Sequence, residues 1–312
     1  MPDVQRLSAE AMPRKTQHIS VCVCTYKRPQ SLKRLLEELG RQDTGGLFTY
    51  SIVVSDNDRL CSAEAVVLEF AAGSPIPVRY CVEAQQNIAM ARNKAIENAV
   101  GDFVAFIDDD EFPIKHWLLA LFKACSEYNA DGALGSVKRH FDEKPPRWVL
   151  KGNFYERPTY PTGFVIDWRK GRTGNVLLKR KLFAADGQPF RPEFRTGEDQ
   201  DFFQRMIEKG NAFIWCDEAI AYEVVPPTRW KHTFMLRRAL LSGATSLLQP
   251  TWKTPEIVKS VIAVPVYAAA LPFALMLGYH RFMALLIKLS DHLGRLLALL
   301  GFDPIKEPYV VD

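Results

Sequence analysis

The stretch Gly101-Asp-Phe-Val-Ala-Phe-Ile-Asp-Asp-Asp-Glu111 decides how this chain folds. An apolar run, 103–107, ends abruptly in four acids, Asp108 to Glu111. The run is short, aromatic and branched, and so predicts a buried strand. Buried strands of α/β folds deliver functional groups at their carboxyl ends. Carboxylates gathered there repel one another unless a cation sits among them. A hard divalent cation that keeps some waters and also binds phosphate suits such a cluster. The stretch therefore predicts a site for a metal-bound phosphate compound. A solvated acidic turn is the plain alternative, and partners elsewhere in the chain decide between the two.

Working outward, residues 19–24, 50–54 and 78–82 read as strands. Residues 31–39, 63–72 and 87–100 read as helices, the first with Ser31 as N-cap and Leu32, Leu35, Leu36 and Leu39 at helical spacing. This alternation predicts an α/β fold with a Rossmann-like, mostly parallel sheet and flanking helices. Further on, 114–128 and 197–209 read as helices, and 213–216 and 219–224 as short strands. Residues 130–195 are rich in Pro, Gly and aromatics and show no clear order, and Pro226-Pro227 marks a break. The expected organisation is a loose tail at 1–17, a catalytic domain at 18–228 and a C-terminal helical region at 229–312.

The bulk numbers narrow the function. With 312 residues, 47% hydrophobic and 24% charged, the chain is long enough for one large α/β domain and an appendage. The net charge of +4 is a mild excess. No basic block is interleaved with spaced aromatics, which argues against nucleic acid. None of the six cysteines forms a C-x-x-C pair, and they suit small buried hydrophobes. The polar, Pro-containing opening has no secretory pattern, so a reducing, cytoplasmic setting is expected for the catalytic part.

The C-terminal third is different. Residues 260–279 carry no charge and match the ~20 residues that cross a bilayer. Pro265 and Pro272 interrupt the stretch, which membrane helices tolerate. Residues 281–300 look amphipathic, as interfacial helices do. Arg229, Lys231, Arg237 and Arg238 would favour an anionic leaflet. The expectation is association with the cytoplasmic face of the cell membrane, as a kinked hairpin or a monotopic patch ahead of a true spanning helix. A soluble helical subdomain is the alternative.

Four elements in order resemble family 2 glycosyltransferases of the GT-A fold: Val21-Cys-Val-Cys-Thr-Tyr-Lys-Arg-Pro29; Val53-Val-Ser-Asp-Asn57; Asn87-Ile-Ala-Met-Ala-Arg-Asn93 leading into Phe106-Ile-Asp-Asp-Asp110; and Thr173-Gly-Asn-Val176 followed by Gly197-Glu-Asp-Gln-Asp-Phe202. Asp-Asp-Asp-Glu-Phe-Pro and Val-Val-Pro-Pro-Thr-Arg followed by Leu-Arg-Arg resemble the succinoglycan-type β-glucosyltransferases of bacterial exopolysaccharide synthesis.

The resemblance implies a role for each residue. Thr25, Tyr26 and Arg28 would lie on the nucleotide, with Tyr26 packed on uracil, and Asp56 would bind the base or ribose. Arg92 would sit near the diphosphate, where a guanidinium binds oxygens bidentately. Asp108, Asp109 and Asp110 form the D-x-D element, with Asp108 on ribose or metal and Asp110 on metal. The implied cation is Mn2+ or Mg2+. Asp199 would be the general base, with Glu198 orienting the acceptor, although acids in a first helical turn also suit the macrodipole alone. Gly174 and Asn175 would line the sugar pocket, while Trp215 is expected in the core. His232 would complete the metal shell. Gln-x-x-Arg-Trp, the pattern of processive synthases, is absent, which favours transfer of one sugar.

The implied reaction moves a hexose from a UDP-sugar, UDP-glucose foremost, to a lipid-linked saccharide with inversion. The rivals are a non-catalytic sugar-binding scaffold on the same fold and a nucleotidyltransferase. The latter lacks its expected Gly-rich loop after the first strand.

Overall fold

The computed structural model describes residues 16–184, 187–194, 197–248 and 253–302. The expected tail therefore lies almost wholly outside the described residues. The first half alternates as the sequence predicts: β1 (Gln17–Thr25), α1 (Pro29–Leu39), β2 (Phe48–Asp56), α2 (Glu64–Gly73), β3 (Val78–Val82), α3 (Ile88–Asn98) and β4 (Phe103–Ile107). Then follow β5 (Glu111–Pro113), α4 (Trp117–Glu127), β6 (Gly132–His140), α5 (Arg147–Gly152), β7 (Asn175–Lys179), α6 (Glu198–Glu208) and β8 (Phe213–Val224). Three helices close the described chain: α7 (His232–Thr245), α8 (Lys253–Met276) and α9 (Tyr279–Leu299).

One eight-stranded sheet runs β3-β2-β1-β4-β7-β6-β8-β5. β3, β2, β1 and β4 are mutually parallel, and β7 then reverses direction beside β4. β4 is buried on both faces, as its unbroken apolar run requires. Phe103, Ala105 and Ile107 enter the core beneath α1, α2 and α4, while Val104 and Phe106 enter the one beneath α3 and α6. The acids that follow must emerge at the sheet's carboxyl edge.

Three local expectations are corrected. α1 begins at Pro29 rather than Ser31, because proline's fixed φ suits the first helical position. Residues 213–224 form one strand, not two, and the irregularity falls opposite Gly135 and Val137. Glu111 does not end an acidic loop but opens β5, paired with Glu223 of β8.

α9 packs against both α7 and α8. Its contact with α7 is backbone on backbone. A Cβ on Gly243 would stand 1.8 Å from the Asp291 carbonyl oxygen, and one on Gly294 would stand 2.1 Å from that of Leu240. Backbone cannot swing aside as a side chain can. Gly243→Leu should therefore force the helices apart and cost about 3 kcal/mol, the upper end for overpacking. Denaturant unfolding at the wild-type midpoint would refute this.

In α8, Pro255–Met276 has a mean hydropathy of 1.8, and only 11% of its most apolar window is buried. It is the one helix, among the described residues, long and apolar enough to cross a membrane. Pro265 and Pro272 both lie within it. Ile262, Phe273 and Met276 are each more than half exposed.

Candidate active site

The carboxyl edge of β1 and β4 opens on a cleft of about 540 Å³. At the end of β1, Thr25 is buried and donates from Oγ1 to Asp109 Oδ2 at 2.8 Å. Lys27 takes a left-handed φ of 54°, which turns the chain so that Arg28 comes back over the acids. Arg28 Nη1 reaches Asp109 Oδ1 at 3.2 Å and Asp110 Oδ2 at 3.3 Å. Tyr26 lines the same wall.

The acids after β4 are held apart by their partners. Asp108 donates its N–H to the Gly174 carbonyl at 3.2 Å. Gly174 is needed here, since a Cβ would stand 2.7 Å from Asp108 Oδ2 and 3.0 Å from Glu111 Oε1. Burial, opposed by Arg28 and Thr25 but aided by Asp110 and Asp108, lifts the Asp109 carboxyl to about 6. Burial also raises Asp108, against the pull of Arg92. Behind them Glu111 is buried, and neither carboxylate oxygen has a hydrogen-bond partner among the described residues.

α3 and α6 supply the opposite wall. Asn87 caps α3 through its side chain, accepting from Ala89 and Met90 N–H, and so sets the helix that carries Arg92. Arg92 is buried, donates to Glu198 and stands 3.8 Å from Asp108 Oδ1. Burial alone would lower its pKa, but Glu198, Asp108 and Asp199 outweigh burial and raise it. Gly197, at φ 85°, turns the chain into α6 and presents Glu198 and Asp199 to the cleft. Burial first, then the Glu198 charge, lifts the Asp199 carboxyl to about 7. A carboxylate poised near neutrality suits a general base.

Nine expected residues thus converge: Thr25, Tyr26, Arg28, Arg92, Asp108, Asp109, Asp110, Glu198 and Asp199. Four do not line the cleft. Asp56 is fully buried, and its carboxylate accepts from Asp58 N–H, Ala63 N–H and the Tyr80 hydroxyl. Its neighbour Asn57 lines the cleft instead. Gly174 sits behind Asp108. Asn175 is also fully buried, donating to the Ser136 and Ala219 carbonyls and accepting from Trp117 Nε1, so its amide is spent on the fold. His232 lies at the start of α7, bonded to the Tyr279 hydroxyl at 2.8 Å and beside the Trp148 ring, away from the acids. Trp215 is in the core, as expected.

Sequence reading also misplaced Arg229 and missed Arg157, Glu223 and Phe234. Arg229 does not face a leaflet. It is buried, donating from Nη2 to Asp110 at 2.6 Å and from Nη1 to Glu223 at 2.9 Å. Arg157 pairs with the same Glu223. No spacing rule links residues 110, 157, 223 and 229, because pairing of β5 with β8 brings them together.

Among the described residues, no three His, Cys, Asp or Glu side chains converge tightly enough to hold a metal alone. Asp108 and Asp110 nevertheless offer hard oxygen donors beside a cleft. One or two carboxylates plus substrate phosphates and water are what a Mg2+-like ion ordinarily uses. The residues fit a cation that arrives with a phosphate.

Comparison with known proteins places this geometry. The model for glycosyl transferase family 2 matches residues 20–183. The chain is 34% identical over 236 residues, 75% of each protein, to the succinoglycan biosynthesis protein ExoM of Rhizobium meliloti (strain 1021). Among solved structures it is similar to the mannosyltransferase PcManGT from Pyrobaculum calidifontis in complex with GDP-Man and Mn2+. That match has a TM-score of 0.61 and 18% identity, covering 91% of this chain and 88% of the other. A second is S. aureus TarS 1–349 in complex with UDP, with a TM-score of 0.51 and 17% identity over 91% and 92% of the chains. At such identities these two bear on the fold alone, and they agree with a GT-A sheet. With its fold, cleft and sequence in accord, the chain belongs to glycosyltransferase family 2.

Proposed function

We propose that the chain transfers a single glucose from UDP-glucose to a lipid-linked saccharide in bacterial surface or exopolysaccharide synthesis, at the cytoplasmic face of the membrane. The observation that carries this reading is Asp199, raised to about 7, facing the Asp108–Asp110 cluster across one cleft. The likeness to a succinoglycan biosynthesis protein supports a place in polysaccharide synthesis, and the exposed apolar face of α8 supports attachment to a membrane.

In this reading Asp199 takes the proton of the acceptor hydroxyl as that oxygen attacks the anomeric carbon. The bond to the nucleoside diphosphate breaks on the opposite face, and one base with one displacement inverts the centre. Glu198 is bound by Arg92, which fixes that carboxylate beside the base. Arg92 and Arg28 bring positive charge toward the diphosphate, where donors aimed at developing charge count most. Held by Asp108 and Asp110, Mn2+ or Mg2+ would neutralise charge on the leaving group.

Calorimetric titration of UDP-glucose, UDP-galactose and GDP-mannose, with and without Mn2+, tests the donor site. One donor should bind in a metal-dependent way, and Asp110→Ala should abolish that binding. A folded wild type that binds none of them would instead favour a sugar-binding scaffold.

A further inference from the structure

The cleft is continuous with a second cavity, of about 550 Å³, that the reaction above does not use. Arg157, Glu223, Phe234, Arg238 and Ser242 line both. From this shared wall the second cavity extends to α9, which contributes Ile287 and Lys288, and to Arg172 just before β7.

Its charges do not balance. Each acid on its wall is already held by an arginine: Glu156 by Arg139 at 2.7 Å, Asp291 by Arg295 at 3.1 Å, and Glu223 by both Arg157 and Arg229. Three cations remain. Arg172, Arg238 and Lys288 are in no ion pair among the described residues. Arg172 stacks near Trp215, its guanidinium 5.9 Å from the ring. Burial and then the neighbouring Arg157 push its pKa down, only partly offset by Glu111 and Asp199. Arg238 keeps an exposed edge, and partial desolvation in the cavity wall, then the nearby Arg229 and Arg157, lower its pKa as well, against the pull of Glu223. Guanidinium groups crowded in this way are stabilised by an anion whose oxygens they can share. His292 also faces this space, and burial followed by Arg295 lowers its pKa, so it adds no compensating charge of either sign near neutrality.

The rest of the wall is apolar, with Phe154, Phe234, Met235 and Ile287. A small free anion has no use for such a wall, whereas an anion with a hydrocarbon chain does. α9 carries part of the cavity wall and also packs against α8, whose exposed face is apolar.

We propose that this cavity binds the phosphate or diphosphate ester joining the acceptor saccharide to its lipid, gripped by Arg172, Arg238 and Lys288. The proposal deepens the reading of the enzyme as acting on a lipid-linked acceptor, and rests on it. The saccharide runs from this anchor through the shared wall to Asp199, while the donor keeps the first cavity.

The test uses the full chain in non-ionic detergent, saturated with UDP and Mn2+ to fill the donor cleft. Farnesyl diphosphate and inorganic diphosphate are then titrated in parallel by calorimetry. Farnesyl diphosphate should bind at least about tenfold more tightly than inorganic diphosphate, the apolar wall accounting for roughly 1.4 kcal/mol or more. Arg172→Gln should weaken it about tenfold and Lys288→Gln about fivefold, with UDP affinity unchanged, as loss of a charge-assisted contact predicts. Lys288 is exposed, so its variant reports even if Arg172→Gln disturbs the packing on Trp215. Wild-type affinity of both variants for farnesyl diphosphate, or no binding by the wild type, overturns the proposal. Equal binding of the two diphosphates overturns the lipid assignment in favour of a free-anion site. Should UDP itself fail to bind, the donor reading fails separately, and the same titration without UDP still decides this one.

Discussion

Asp199→Asn is expected to lower kcat by about 10²–10⁴-fold, the usual worth of a positioned general base, while leaving UDP-sugar affinity near wild type. The substitution keeps shape and removes only the ability to take a proton. The sign of the pH dependence follows from the raised pKa. The base works deprotonated, so kcat/KM should be flat above about pH 7 and fall tenfold per unit below it, because Asp199 titrates at about 7 in the free protein. The variant should lose that limb of the profile together with its rate. A variant that transfers sugar at the wild-type rate, or one that keeps the same acid limb, would remove Asp199 from the mechanism and leave the family assignment standing.

Arg229→Met is expected to destabilise the fold by about 3–5 kcal/mol, as removal of one partner from a buried ion pair does. Arg229 is 6% exposed and touches both Asp110 and Glu223. Without it the buried Glu223 and the largely covered Asp110 lose a shared guanidinium, and only Arg157 and Arg28 remain to serve one each. The melting temperature should drop by on the order of 10 °C. Arg229→Lys should recover only part of this, because an ammonium cannot bridge two acids with a fixed fork. Unchanged melting of Arg229→Met would mean the network contributes nothing net.

The sequence was most legible where structure is local. The β4 run and its acids, the limits of β3 and β4, and the alternation through α3 follow from periodicity and capping, which act within a few residues. Of the four family-like elements, those carrying Arg92, the Asp108 cluster and Glu198–Asp199 meet in one cleft. What spacing did not reveal was which polar group is consumed by the fold. Asp56 ends a strand as a ligand-binding acid would, yet the turn at Asp58, the start of α2 and Tyr80 use its oxygens. Asn175 is used likewise by Trp117 and two carbonyls. The role of Arg229 was hidden for the opposite reason. Its partners lie 6 and 119 residues away in sequence, and only the reversal of β8 alongside β5 joins them. Basic residues near an apolar segment read as lipid-facing, but of the four Arg229 and Arg238 line the cleft.

The contact of α7 with α9 through Gly243 and Gly294 has a further consequence. No side chain intervenes there to act as a cushion, so the two helices move as one piece, and α8 is packed onto that piece. Phe234 and Arg238 on α7 form part of the cleft wall. On the proposed attachment through α8, the transfer centre therefore stands at a constant height above the lipid surface, like a gauge block. An acceptor whose terminal sugar falls short of that height, or overshoots it, misses Asp199 whatever its chemistry. The enzyme would thus count the sugars already present, and selectivity for one stage of chain growth would reside in the helices rather than in the sugar pocket.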